Sequence, residues 1–279
     1  MSDAATRRRA LADHLFAVFA RHTAPDAALL AGSVATGEAD ELSDIDLLLY
    51  HAELPSDQAV AAAREEVGAT DLTVLAPRTE AGLLDQFTVD GVTCQVGQLA
   101  FADVEGDIRR VTVDLDPDPY PMKAIGGLHD GLALHGADVI GRWRAAAAYS
   151  DELQRAVVAR HWKIFPLWRL TDHVAARDAE IWRHQILVDA AYDLLAVLAA
   201  ANRVWFSSFQ FKRTRKLTAR LEAAPPELAD RLEALFTLPP AESARELKRL
   251  ADETRAILEE RALLPSTGQE RRFQRDDTG

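Results

Sequence analysis

The chain has 279 residues, 48% hydrophobic and 27% charged, which suits one large or two modest folded domains and excludes a disordered chain, a collagen and a coiled-coil rod. Its single cysteine, Cys94, excludes an intramolecular disulfide and a cysteine-based metal cluster. The net charge of −12 is uneven: residues 1–120 carry −14 and residues 121–279 carry +2. An acidic first half suits either the holding of cations or simple solvation, and it disfavours broad electrostatic binding of nucleic acid. The longest apolar runs, such as Leu194–Ala201, are short of the ~20 residues that span a bilayer. Arg7–Arg9 leads into an amphipathic pattern and not into a signal-type apolar core, so the expected location is the cytoplasm, with no membrane partner.

In chain order, Ala4–His22 places Leu11, Leu15, Val18 and Phe19 at helical spacing. Ala27–Ala31 is a short apolar strand ending at Gly32-Ser33. Asp44–Tyr50 is predicted as a second strand, with Ile45, Leu47 and Leu49 on one face and Asp44, Asp46 and Leu48 on the other. Ser56–Glu66 is predicted as a helix and Asp71–Leu75 as a third strand. Phe87–Val89 and Val92–Leu99 form a hairpin across the two-residue turn Asp90-Gly91. The run Asp114–Pro121 contains three prolines and marks the expected domain boundary. Beyond it the pattern is helical, over roughly 150–170, 175–201, 212–223, 226–236 and 241–264. The expected division is residues 1–115, an α/β domain built on a mixed sheet, then residues 116–265, an all-α helical bundle, then a frayed tail over 266–279.

The chemistry is concentrated in Leu29–Tyr50: an apolar strand, a Gly-Ser corner, ten intervening residues and Asp-x-Asp on a second apolar strand. Gly32 lets backbone approach a phosphate closely, and Ser33 offers a hydroxyl donor. Asp44 and Asp46, two apart on a strand, project from the same face and are spaced to share divalent cations. This arrangement resembles the nucleotidyltransferase superfamily of the DNA polymerase β type, which includes the aminoglycoside and lincosamide nucleotidyltransferases. The resemblance implies a mixed-sheet nucleotidyltransferase domain ahead of the helical domain. It implies Gly32 and Ser33 on the triphosphate of a nucleoside triphosphate donor such as ATP, and Asp44 and Asp46 on Mg²⁺, with a two-metal site possible. A weaker likeness runs through Leu194–Arg213, where an Asn-Arg pair and an aromatic precede a lysine; it makes Lys212 either a phosphate contact or a solvated charge.

The family pattern also asks for a third carboxylate, and by alternation the matching position on Val92–Leu99 holds Gln95. An amide oxygen can ligate Mg²⁺ but adds no negative charge and is a poor proton acceptor. Three readings follow: a base from the helical domain, with Asp172, Asp178, Asp189 and Asp193 as candidates; a weakened enzyme; or a nucleotide-binding scaffold that has lost turnover. The expected reaction is transfer of AMP or another nucleoside monophosphate to a small-molecule hydroxyl, with an aminoglycoside-like antibiotic as one acceptor class. A protein hydroxyl remains open, and RNA is disfavoured by charge. His161, Trp162, Lys163, Trp168 and Arg169 form an aromatic–basic cluster that either stacks a ring or packs a core. The basic run Lys212–Lys216 reads as a local phosphate counterion or a solvated face. The eight histidines show no zinc-binding spacing, and Walker A, Rossmann and nucleophile-elbow motifs are missing from the sequence.

Overall fold

The computed structural model describes residues 3–163 and 169–265. The chain divides into two compact units. The first runs up to Asp114 and resumes over Ala124–Ala148; the second comprises Leu115–Lys123 and the chain from Tyr149 onward. Trp168 and the expected tail over 266–279 lie outside the described residues, as do the side chains of Arg169 and Asp172.

The first unit is built on six strands: β1 (Ala27–Ala31), β2 (Ile45–His51), β3 (Thr70–Ala76), β4 (Gly82–Val89), β5 (Val92–Ala100) and β6 (Leu132–His135). Their order is β3-β4-β5-β2-β1-β6, with β2 and β5 parallel and every other pair antiparallel. The mixed sheet and the helical second half match the fold class read from the sequence. Helices α1 (Asp3–Thr23) and α3 (Asp57–Glu66) contribute the buried side chains Leu15, Val18, Phe19 and Val60 to a core that also contains Ile45, Leu47 and Leu49 of β2 and Cys94 and Val96 of β5. The period-two pattern of β2 thus sends its aliphatic residues into this core and leaves Asp46 and Leu48 half-buried on the opposite face. Ser56 caps α3, its hydroxyl accepting from the Ala59 amide at 3.2 Å. Cys94 is fully buried, and desolvation pushes its thiol up to about 12, as befits a core residue and not a nucleophile.

Residues 101–148 depart from the sequence reading. Helix α4 (Phe101–Thr112) follows β5 directly, and the proline run starts helix α5 (Pro119–Asp130), where the fixed φ of proline suits a first turn. Next come strand β6, which joins the sheet beside β1, and helix α6 (Ala137–Ala146). The short α2 itself is Gly32–Ala35. Trp143 of α6 meets Tyr50 and Phe101 edge-on, at centroid distances of 5.1 and 4.9 Å, and so covers the second face of the sheet at the Tyr50 end of β2. A four-residue strand with alternating small and apolar residues, flanked by helices, carries too weak a pattern to separate from a helical one.

The second unit contains α7 (Asp151–His161), a π-helical turn (Arg169–Val174), α8 (Glu180–Ala201), α9 (Thr214–Thr218), α10 (Leu228–Ala234) and α11 (Pro240–Glu260). The helices expected over 150–170 and 212–223 are shorter than their patterns suggested. Helix α8 is long and apolar enough to cross a membrane by length and composition, yet most of it is buried, with Leu194–Ala201 forming the centre of the unit.

His51, at the end of β2, is 1% exposed and its Nε2 lies 2.8 Å from Gln98 Oε1. Burial depresses its pKa below the ordinary 6.5. The unfolded chain therefore takes up this proton first, so the stability contributed by neutral His51 is present above about pH 6.5 and is lost as pH falls through the depressed native value. We expect the melting temperature of the wild type to drop more steeply between pH 7 and pH 5 than that of His51→Gln; parallel slopes would show that His51 carries no such linkage.

Candidate functional site

Strand register determines which side chains meet. In the antiparallel β1–β2 pair Ala31 lies opposite Asp46, so the Gly32-Ser33 corner emerges beside that carboxylate. Gly32 has φ +67°, and a Cβ built on it would collide with Asp46 Oδ2, with the carboxylate carbon 3.5 Å away. Glycine is required here twice, once by the backbone angle and once by the carboxylate lying over it. Ser33 follows in α2 and is half-buried.

In the parallel β2–β5 pair Asp46 lies beside Gln95. The Gln95 amide nitrogen is 3.5 Å from Asp44 Oδ2 and 3.2 Å from Gln86 Oε1 on β4, to both of which it donates. Thus Asp44, Asp46, Gln95 and Gln86 sit together on the face of the sheet opposite the α1–α3 core, at the end where β1 turns into α2. The position expected to carry a third carboxylate is occupied spatially, as well as in sequence, by an amide. Gln86 was missed by sequence reading; its alternation with Asp85 and Phe87 on β4 was the available signal. Among the described residues no group of three or more His, Cys, Asp or Glu side chains is arranged to hold a metal. The donor set is two carboxylates and one amide. That set still suits Mg²⁺, which typically takes one or two carboxylates and completes its shell with waters and substrate phosphates. For Gln95 to ligate, its oxygen would have to turn to where its nitrogen now faces Asp44.

Another residue outside the sequence reading fixes the loop that delivers Asp44. Arg8 of α1 is buried; its Nε donates to the Ser43 carbonyl at 2.7 Å and its Nη2 to the Glu41 carbonyl at 2.6 Å. Asp40 closes the same loop on itself, accepting from the Leu42 amide at 3.0 Å and the Ser43 hydroxyl at 2.8 Å. The signal was legible in principle, because Arg8, Ala12, Leu15 and Phe19 share the buried stripe of α1, and an arginine in an apolar stripe needs buried acceptors.

The remaining candidates belong to the second unit. Lys212 is exposed in the loop ahead of α9 and not on a helix as expected. Asn202 and Arg203 are stitches: Asn202 donates to the Leu198 and Ala223 carbonyls and accepts from the Ala223 amide, while Arg203 holds the Tyr149 carbonyl and the Asp151 carboxylate. Asp178 and Asp189 lie at the surface, and partial desolvation against the helix, with the nearby Asp193 charge, raises the Asp189 carboxyl above the ordinary range. Asp193 accepts from His161 Nδ1 at 2.7 Å. His161 lines, with Tyr149, Tyr192 and Phe206, a cavity of about 20 Å³, room for about one water and not for a ring. Trp162 of the aromatic–basic cluster lies under Arg255, 6.0 Å from its ring centroid, which is a packing role.

Gly32→Ala should cost at least about 1 kcal/mol, since alanine is strained at positive φ, with the Asp46 collision added. In a double-mutant cycle with Asp46→Ala, chemical denaturation should show that part of the cost is relieved. Purely additive effects would mean that the carboxylate does not lie over the glycine.

Residues 19–95 match the family model described as "Nucleotidyltransferase domain". No curated protein matches the chain. Among solved structures, the chain is similar to a nucleotidyltransferase-like protein from Exiguobacterium sibiricum 255-15, at 10% identity over 97% of this chain and 81% of that one, with a TM-score of 0.40. It is also similar to Cid1 in complex with its short product ApU (16% identity, 71% of this chain and 51% of that one, TM-score 0.29). A third likeness is to the non-canonical poly(A) polymerase complex GLD-2–GLD-3 (10% identity, 90% and 93% coverage, TM-score 0.31). The family match covers the Gly32-Ser33 corner, β1, β2 and Gln95, so this segment is similar to nucleotidyltransferase domains.

Proposed function

We propose that the first unit transfers a nucleoside monophosphate, AMP in the first instance, from a nucleoside triphosphate to a hydroxyl of a small-molecule acceptor. The observation that carries this reading is the convergence of the Gly32-Ser33 corner with Asp44, Asp46 and Gln95 on one end of the sheet, inside the segment that matches the nucleotidyltransferase family.

In this reading the acceptor hydroxyl oxygen attacks the α-phosphorus and gives up its proton to solvent water, a new P–O bond forms, the bond to the β-phosphate oxygen breaks and pyrophosphate leaves. Gly32 keeps the corner free of a side chain, so the phosphates can approach the backbone, and the Ser33 hydroxyl donates to a phosphate oxygen. Asp44 and Asp46 are the ligands for Mg²⁺, which when bound neutralises phosphate charge and makes the acceptor hydroxyl easier to deprotonate. Arg8 holds the loop that sets the position of Asp44. Lys212 as a phosphate contact rests on the family resemblance alone. Positioning is asked to supply much of the rate, because Gln95 is a poor proton acceptor.

The acidic first half favours a cationic acceptor, of which an aminoglycoside-like antibiotic is one class. A second reading has its own observation: Gln95 in the third acidic position favours a nucleotide-binding protein without turnover.

Pyrophosphate release, followed with ATP, Mg²⁺ and a panel of hydroxylated acceptors, separates the two. The transferase reading expects acceptor-dependent release that falls at least a hundredfold in Asp46→Asn while the melting curve is kept. It also expects Gln95→Glu to lower the Mg²⁺ concentration needed for half-maximal rate, since a third carboxylate adds charge to the ligand set. Full activity in Asp46→Asn sinks the assignment. Mg²⁺-dependent ATP binding without release under any acceptor, in both the wild type and Gln95→Glu, favours the binding protein.

A further inference from the structure

We propose that the cluster beside the Gly32-Ser33 corner binds one divalent cation and not a pair, and that Gln86 is the positioning residue that keeps the number at one. The inference rests on the nucleotidyl-transfer reading above and adds to it the metal count.

Two cations that clamp a transferring phosphoryl group lie ~3.5–4 Å apart. Divalent ions repel four times as strongly as unit charges at the same separation, so carboxylates lying between them have to offset that repulsion. Here the carboxylates are two, Asp44 and Asp46. Asp44 Oδ2 faces the Gln95 amide nitrogen at 3.5 Å, and Asp46 Oδ2 lies over the backbone of Gly32. One ion can take oxygens from this pair and complete its shell with waters and phosphate oxygens. A second ion would have to be held beside Asp44 where Gln95, the β5 neighbour of Asp46, presents N–H groups and no negative charge.

The direction of the Gln95 amide therefore matters, and Gln86 sets it. The two glutamines are register partners in the β4–β5 pair, and both are half-buried. Gln86 Oε1 accepts from Gln95 Nε2 at 3.2 Å, the shorter of the two contacts that nitrogen makes. Turned the other way, Gln95 would set its oxygen against the Gln86 oxygen and the Asp44 carboxylate, with no proton between any of them. A second cation would relieve the conflict with Asp44 but not the one with Gln86, whose amide would have to turn as well. Admitting that ion thus requires two half-buried amides to give up their present hydrogen bonds together. A single ion then has to serve the phosphates and the acceptor hydroxyl alike.

The test counts ions. The full chain is dialysed to equilibrium against Mn²⁺, a paramagnetic substitute for Mg²⁺, with a non-hydrolysable ATP analogue in excess, and bound Mn²⁺ and bound analogue are measured per chain. Electron paramagnetic resonance reports whether bound ions lie close enough to couple. The wild type is expected to hold one Mn²⁺ per bound analogue, with the spectrum of an isolated ion, and Asp46→Asn to lose it. Gln95→Glu should hold two ions with a coupled spectrum. Gln86→Leu, with an unchanged melting curve, should admit a second, weaker ion and the same coupling, which a glutamine serving only the packing of β4 would not. Two coupled ions in the wild type would overturn the proposal and leave the nucleotidyl-transfer reading standing. A count that stays at one in either glutamine variant would also overturn it. If neither Mn²⁺ nor the analogue binds, that reading falls and the proposal with it.

Discussion

Opposite Ala31 on the neighbouring strand stands Asp46, and the geometry of the first unit follows from that one pairing. It brings a carboxylate over the backbone of Gly32, where a left-handed backbone angle and the lack of a Cβ are both needed. A one-residue slip between β1 and β2 would turn Asp46 into the α1–α3 core and expel Ile45, Leu47 and Leu49 from it. Apolar burial and the placement of a charged group are therefore enforced by the same register. The loop between the strands has its own restraint in Arg8, whose buried guanidinium binds two backbone carbonyls and so replaces water that the loop would otherwise need.

What this register assembles is a polar cluster of unusual composition. Two carboxylates and two amides occupy adjoining positions on β2, β5 and β4 and the residue before β2. With Gln95 donating to Asp44, the cluster is held together without a third negative charge. A third carboxylate in that place would repel Asp44 and Asp46 until a cation arrived; the amide spares the apo fold this repulsion and reduces its attraction for a second metal. Stability of the empty site and affinity for metal thus pull in opposite directions, and Gln95 lies on the side of stability.

The elements that position this cluster were legible because their signals are local. Strand β1 ends at the glycine, β2 alternates cleanly, and Asp90-Gly91 marks the β4–β5 hairpin. Residues 101–148 were not legible, because membership of a sheet is decided by pairing across distance: β6 joins β1 through four residues that look like any helix edge. Arg8 and Gln86 were missed for a similar reason, each being a polar residue whose partner lies far along the chain. In the second unit the partners of the Asn202-Arg203 pair also lie far along the chain: Asn202 joins the end of α8 to Ala223, and Arg203 joins it to the start of α7.

The −14 of the first 120 residues is what remains after their arginines are counted, and several of those arginines are paired with acids of the same segment: Arg7 and Arg8 with Glu41, Arg78 with Asp57, Arg21 with Glu66, and Arg64 with the buried Asp85 at 2.9 Å. An acid whose partner is a few ångströms away contributes little to the field felt by a diffusing cation, since the pair presents a dipole that screening shortens further. Close to the Gly32-Ser33 corner the attraction for a cationic acceptor comes from Asp44 and Asp46, the same groups that a divalent metal would neutralise. Total charge attracts any cation alike, so discrimination among hydroxyl acceptors has to come from shape and hydrogen bonding close to the reacting oxygen.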